Sequence, residues 1–195
     1  MTQRLGEITA IHSGYLFKKE SKVSTKKGYY AIQPKDLNKA GRIVWPNYQT
    51  PITNDPQPIH YLKKNDVLFL SKMNTRPVFV EDEPEHSNII ASSHFFIIRP
   101  TSDKILTEYL FWFLNQQDTK KFIRSVAAGS SILNVKKSDL QDLEVPLPPL
   151  CMQQKISELT RLSERSKEIQ QTIIEKTERL VEQITHQALK KQVRL

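Results

Sequence analysis

The chain has 195 residues and a single cysteine, Cys151. One cysteine excludes an intramolecular disulfide and any cysteine-rich zinc site, and it makes a reducing compartment the natural setting. The five histidines, His12, His60, His86, His94 and His186, are too scattered to give a metal-ligand spacing. No apolar run approaches the roughly 18 residues that would suggest a membrane span, and the first ten residues lack the apolar core of a signal peptide. The expected protein is soluble and cytoplasmic, with no membrane partner. Only 5 glycines are present, none of them in a phosphate-cradling P-loop or a GxGxxG dinucleotide turn, and there is no Asn-Pro-Pro-Tyr-type base-methylation motif. A magnesium nuclease built on Asp103 with Asp118, Thr119 and Lys120 fails on context. Those residues lie on or before an expected helix, whereas that motif needs paired strands. No catalytic residue, metal site or cofactor site is read from the sequence, so the chain is expected to hold a partner and not to transform one.

Charge of one sign is what the chain has in excess. The net charge is +8, and its placement is uneven. Residues 1–80 carry 13 Lys or Arg against 5 Asp or Glu, residues 81–150 carry 7 against 10, and the remainder 9 against 6. A one-sided basic field is what a polyanion binder needs, with nucleic acid the leading candidate, although a generically basic surface has the same composition.

Along the chain, residues 6–11 alternate and contain β-branched side chains, which predicts a first strand, with a turn at His12-Ser13-Gly14. Lys18, Lys19, Lys22, Lys26 and Lys27 follow in one loop bracketed by aromatic residues, and strand resumes at Tyr29-Tyr30-Ala31-Ile32. Such a loop can grip phosphates or can be simply solvated. Residues 36–39 predict a short turn, Arg42 to Trp45 a strand, and residues 46–60, with four prolines, a surface loop. Val67-Leu68-Phe69-Leu70 is apolar and short enough for a buried strand. The polar stretch Ser71 to Arg76 separates it from Pro77 to Val80. An acidic turn, Glu81 to Glu85, precedes two strands, or one bent one, at Asn88 to Ala91 and His94 to Arg99. Thr101 to Asp103 is expected to cap one helix over Thr107 to Ser125, with Phe111, Trp112, Phe113 and Phe122 as core filling. A short helical turn within Asn134 to Leu140 and a strand at Leu143 to Leu147 complete the body.

Pro148-Pro149 then sets a boundary, because the residue before a proline is pushed out of the helical region. From Cys151 to Leu189 there is neither Pro nor Gly, and good helix formers dominate. The apolar positions Ile156, Leu159, Leu162, Ile169, Ile173, Leu180, Ile184 and Ala188 recur mostly at intervals of three, four or seven. They make a narrow stripe suited to a coiled-coil seam, interrupted at Ser166 and at Lys176 or Thr177. A paired helix is expected, since isolated helices rarely persist in water; a lone helix laced by pairs such as Glu175 with Arg179 is the alternative.

With those residues in view, the chain resembles one half of a specificity (S) subunit of a type I restriction-modification system. Four stretches carry the resemblance: Ile8 to Gly14; Leu62-Lys63-Lys64-Asn65-Asp66-Val67-Leu68-Phe69; Phe95 to Arg99 with Tyr109-Leu110 and Gly129-Ser130-Ser131; and, most specific, Leu143 to Gln154 with its Val-Pro-Leu-Pro-Pro-Leu run. Asn65 stands where a Gly usually precedes the Asp, and Asn tolerates the left-handed region that the turn requires. Members of the family usually carry two target-recognition domains and two long helices, whereas no internal repeat is found here. The resemblance implies an α+β fold: a mixed, strand-rich target-recognition domain over residues 1–150, followed by a long C-terminal coiled-coil helix over 151–195. It implies sequence-specific recognition of double-stranded DNA by a non-catalytic subunit. S-adenosylmethionine and catalysis would come from a partner methyltransferase, with a restriction subunit as a possible third component. A homodimer reading inverted half-sites would restore the two-fold arrangement. The lysines of the 18–27 loop would position the backbone, and Arg42 is a further DNA-binding candidate. Lys72, Asn74 and Arg76 are candidates for base edges, and Ser130 and Ser131 either donate to phosphate or cap a helix. The rival readings are a nonspecific nucleic-acid binder and a protein-docking adaptor.

Overall fold

A computed structural model describes residues 1–17, 28–38, 41–46, 50, 55–72, 76–82, 84, 86–127 and 134–192. The chain divides into two units, Met1–Gln154 and Lys155–Leu195. The first is built on β4, Val67–Leu70, whose four side chains are all buried. An apolar run with no polar alternation is what a strand covered on both faces requires. It lies inside a four-stranded antiparallel sheet of order β2-β7-β4-β5, where β2 is Thr9–Ser13, β5 is Arg76–Phe79 and β7 is Phe95–Pro100. Leu68 pairs with Ile97 and Leu70 with Phe95. On one face these four residues and Val78 pack with Ile32, Leu62 and Ile89, and with half-buried Leu37, Ile43 and Trp45. On the other, Phe79 stacks on Phe111 of α2, Thr107–Leu114, with ring centroids 5.7 Å apart.

Two smaller pairings complete the body. β3, Tyr30–Ile32, runs parallel to β6, Ile89–Ala91. β1, Thr2–Arg4, pairs antiparallel with β8, Glu144–Pro146. Gly14 crosses so near Ser92 that a Cβ there would sit 2.2 Å from the Ser92 carbonyl oxygen, so no side chain fits at that position.

Several expectations need correction. Residues 6–11 are not one strand: Leu5–Ile8 form a single helical turn, α1, and β2 begins at Thr9 and takes in His12 and Ser13. The Leu5 amide donates to Leu143 at 2.8 Å, and α1 packs on α4, Lys137–Gln141, so tertiary contacts override the local alternation. The stretch from Arg42 to Trp45 makes only an isolated bridge, Leu37 with Ile43. The helix expected over Thr107 to Ser125 is two helices, α2 and α3, Gln117–Val126, broken at Asn115 and an extended Gln116. The break lets Leu110 and Leu114 be buried by one helix and Thr119 and Ile123 by the other, and it leaves Phe122 41% exposed instead of in the core. Thr101 to Asp103 do not cap α2. The Leu106 amide at its start is taken by Gln153 Oε1 at 2.9 Å.

Gln153 is fully buried, and its Nε2 also donates to the carbonyls of Lys104, at 2.8 Å, and Pro148, at 2.9 Å. A primary amide is suited to a place that needs one acceptor and two donors. It lies in the first turn of α5, Leu150–Gln192, which follows the double proline and runs 43 residues. At 1.5 Å per residue that is about 64 Å of helix.

At the start of β4, Asp66 is buried against Arg99. Arg99 Nε donates to Asp66 Oδ1 at 2.7 Å and its Nη2 to Oδ2 at 2.9 Å, and Nη2 also donates to the Tyr61 carbonyl. Asp66 Oδ2 accepts the Lys63 amide at 2.9 Å, which closes a turn through Asn65 at φ 67°. The fork is bidentate, and both carboxylate oxygens are engaged.

His12, on β2, binds its proton less readily than the ordinary 6.5 because of burial first, then Arg99 and Lys137, with Asp66 opposing. His60 is lowered by burial and by His12.

Removing one partner of the buried pair strands the other charge. Arg99→Ala is therefore expected to cost about 3–5 kcal/mol in urea unfolding. Asn65→Ala costs about 1–2 kcal/mol for the left-handed backbone, and Asn65→Gly costs nothing measurable. The two imidazoles give stability a pH dependence. The unfolded chain takes up protons at 6.5 and the folded chain only below it, so stability is full above 6.5 and falls as the pH drops towards the lowered folded values. A urea midpoint that declines between about pH 7 and 5.5, and declines less in His12→Gln, is the expected result.

Candidate nucleic-acid interface

The chain leaving β4 makes its next pairing far along the sequence. The Val135 amide donates to the Ser71 carbonyl at 2.9 Å, and Lys72 forms an antiparallel bridge with Asn134. Ser71 is held from the other side, its amide and hydroxyl both donating to the His94 carbonyl at 3.0 Å. Asn134 leads directly into Lys136, Lys137 and helix α4, and Lys72, Asn134, Lys136 and Lys137 are all exposed. Thus the segment after β4 and the segment before α4, more than sixty residues apart, present their side chains together.

Arg76 is not in the loop after β4, as expected from sequence, but is the first residue of β5. The two-residue period of a strand puts it on the face of Val78, towards the hairpin that spans Leu37 to Ile43. That hairpin is closed by the Asn38 amide to Arg42 carbonyl, 3.0 Å, the Gly41 amide to Asn38 carbonyl, 2.9 Å, and the Arg42 amide to Asn38 Oδ1, 2.9 Å. Gly41 sits at φ 82°, and a Cβ on it would stand 3.4 Å from Arg76 Nη1. The turn that carries exposed Arg42 therefore lies on the Arg76 guanidinium. Arg76 Nε is buried and has no hydrogen-bond partner among the described residues.

Of the other residues singled out from sequence, Lys18, Lys19, Lys22, Lys26, Lys27, Asn74, Ser130 and Ser131 lie outside the described residues. The described flanks of the lysine loop are aromatic. Tyr15 meets Phe17 edge-on at 5.0 Å and His60 at 5.6 Å, and Tyr30 stacks on His86 at 4.2 Å. Tyr29 donates to Asp55 at 3.1 Å. Its phenol is held well above its ordinary value by the hydrogen bond with Tyr61, by burial and by Asp55, so it stays neutral. Among the described residues no cluster of His, Cys, Asp and Glu could hold a metal ion.

Sequence reasoning missed Lys136 and Lys137. A signal was there: from Thr119 to Ser138 the chain holds Lys120, Lys121, Arg124, Lys136 and Lys137 and no acidic residue, inside a stretch, residues 81–150, that is acidic as a whole. Lys120 is held below its ordinary value by burial and by the Arg124 charge.

In the second unit, Leu159, Leu162, Ile169, Ile173, Leu180 and Ile184 are all about half or more exposed, and Ile156 is partly covered. Ile174 and Val181 are exposed as well, at 50% and 55%. They adjoin Ile173 and Leu180, so the apolar stripe is wider in this stretch than the narrow seam expected. No helix among the described residues is long and apolar enough to cross a membrane.

Known proteins give this geometry a context. A chain solved in work on complex assembly and conformational transition of the type I R-M system superimposes with a TM-score of 0.59 at 20% identity, covering 85% of this chain and 38% of that one. The HsdS subunit from Thermoanaerobacter tengcongensis gives 0.55 at 18% identity, over 85% of this chain and 37% of that one. These likenesses establish the α+β fold with its long C-terminal helix. In sequence, the chain is 26% identical over 102 residues to the type I restriction enzyme HindI specificity subunit of Haemophilus influenzae. That match spans 50% of this chain and 22% of the relative, so the chain covers much less than the length of these proteins. The family described as type I restriction modification DNA specificity domain matches residues 1–191, nearly the whole sequence, and the chain belongs to that family.

Proposed function

We propose that the chain is a non-catalytic DNA-recognition unit of a type I restriction-modification system, which directs a methyltransferase, and any restriction subunit that joins it, to one half of a bipartite site. The observation that carries this reading is the gathering of Lys72, Arg76, Gly41-Arg42 and Asn134 to Lys137 from three separate stretches of a chain in the specificity-domain family. Arg76, which stays partly exposed beside the Gly41 turn, carries base readout, because a guanidinium can pair bidentately with guanine in the major groove. Arg42 and the 18–27 lysines contact phosphates, and S-adenosylmethionine belongs to the methyltransferase.

The exposed stripe on α5 serves assembly. A second copy, packed antiparallel along Leu159, Leu162, Ile169, Ile173 and Leu180, supplies the other reader and makes the target an interrupted palindrome. The breadth added by Ile174 and Val181 leaves apolar surface for a methyltransferase helix beside that second copy.

Methylome sequencing of cells carrying the chain with its neighbouring methyltransferase, against cells lacking the chain, tests recognition directly. A modified motif present only with the chain is expected; an unchanged methylome favours a nonspecific binder or a docking adaptor. Arg76→Ala is expected to lose about 1–3 kcal/mol of discrimination at one base position, read as relaxed preference among duplexes. Analytical ultracentrifugation is expected to find a dimer that Ile173→Glu with Leu180→Glu converts to monomer, and a monomeric parent would remove the homodimer.

A further inference from the structure

Three lysines on the described surface are brought together by the long-range pairing after β4, and none of them meets a carboxylate in an ion pair among the described residues. Lys72 bridges Asn134, and Lys136 and Lys137 follow on the same exposed segment. The nearest acid along the chain, Asp139, is otherwise engaged. Its Oδ2 accepts the Lys136 amide at 2.8 Å and its Oδ1 the Ser138 hydroxyl at 3.4 Å, so it closes the first turn of α4 instead of meeting a lysine ammonium. α3, which packs against α4, adds Lys120 and Arg124 at a four-residue spacing. Like charges at that spacing work against a helix. Burial first, and then the Arg124 charge, weakens the hold of Lys120 on its proton, and Lys137 adds, after burial and Arg99, to what disfavours the protonation of His12. Repulsion accumulated along one segment, within a stretch (residues 81–150) whose acids outnumber its bases, suits an anion larger than any single carboxylate.

We propose that Lys72, Lys136 and Lys137 form a clamp on the sugar-phosphate backbone of duplex DNA. The proposal rests on the recognition function above and adds to it a division of labour. The clamp sets where the duplex lies, through point charges that carry no sequence information, while Arg76 at the far end of the β4–β5 connection reads bases. The Ser71–Val135 hydrogen bond and the Lys72–Asn134 bridge hold the two halves of the clamp side by side, so both meet the phosphates in one register.

Binding of fluorescent short duplexes, one carrying the motif found by methylome sequencing and one scrambled, by the full-length chain over about 50–200 mM salt separates the two roles. Lys136→Gln with Lys137→Gln is expected to weaken binding to both duplexes by the same factor. It should also flatten the slope of log affinity against log salt by about 0.9 for each phosphate that the variant leaves unneutralised. Lys136→Arg with Lys137→Arg is expected to keep the parent slope, and an unchanged urea midpoint shows that the glutamine variant is folded. Lys72→Gln should act in the same direction. An unchanged slope in a variant whose parent binds DNA overturns the clamp and leaves the recognition function standing. Loss of the preference between duplexes with the slope unchanged also overturns it, since the lysines would then read bases. A parent chain that binds neither duplex brings down both.

Discussion

The ion pair between Asp66 and Arg99 is the constraint on which the rest of the body depends. Asp66 heads β4 and Arg99 lies near the end of β7, two strands that share the centre of the sheet. With side-chain exposures of 3% and 18%, the charges are tolerable only because the geometry is bidentate and the remaining groups find partners in Tyr61 and Lys63. The pair therefore specifies register. A slip of one residue between β4 and β7 would turn the apolar set over and also leave a carboxylate and a guanidinium unpaired in the core. Since β4 delivers Lys72 and its hairpin partner delivers Arg76, the register of the sheet is also the register of the candidate interface.

Some of this was legible in the residues themselves. Pro148-Pro149 followed by a long stretch free of Pro and Gly announces α5, and the run Val67 to Leu70 announces a strand with two covered faces. Asn65 before Asp66 announces a left-handed turn, found at φ 67°. In each case the signal is local: a steric exclusion, a composition, or the tolerance of one side chain for one backbone region. What was not legible was decided at long range. Residues 6–8 alternate like a strand, but α1 is dictated by packing against α4 and by the Leu143 carbonyl. The helical periodicity of residues 107–125 runs through Asn115 without a breaker, and the break follows from two burial directions that no single period encodes.

The interface divides in the same way. That Lys72 and Arg76 flank one connection can be read from the hairpin pattern, but that Gly41-Arg42 closes over Arg76, or that Asn134 pairs with Lys72, cannot. Single bridges have no repeating signature, and a positive-φ glycine shows only that a turn exists, not what lies beneath it. The distribution of charge was misleading for a related reason. Averaged over residues 81–150 it is acidic, and the average conceals a stretch from Thr119 to Ser138 whose charged residues are all basic. Folding sorts those charges by place, and composition sorts them only by order.

The pairing of β1 with β8 brings Thr2 to Arg4 alongside Glu144 to Pro146, so the first and last strands of the body lie side by side. A body whose boundaries meet at one seam can be spliced out, exchanged for another, or strung in tandem without disturbing its interior.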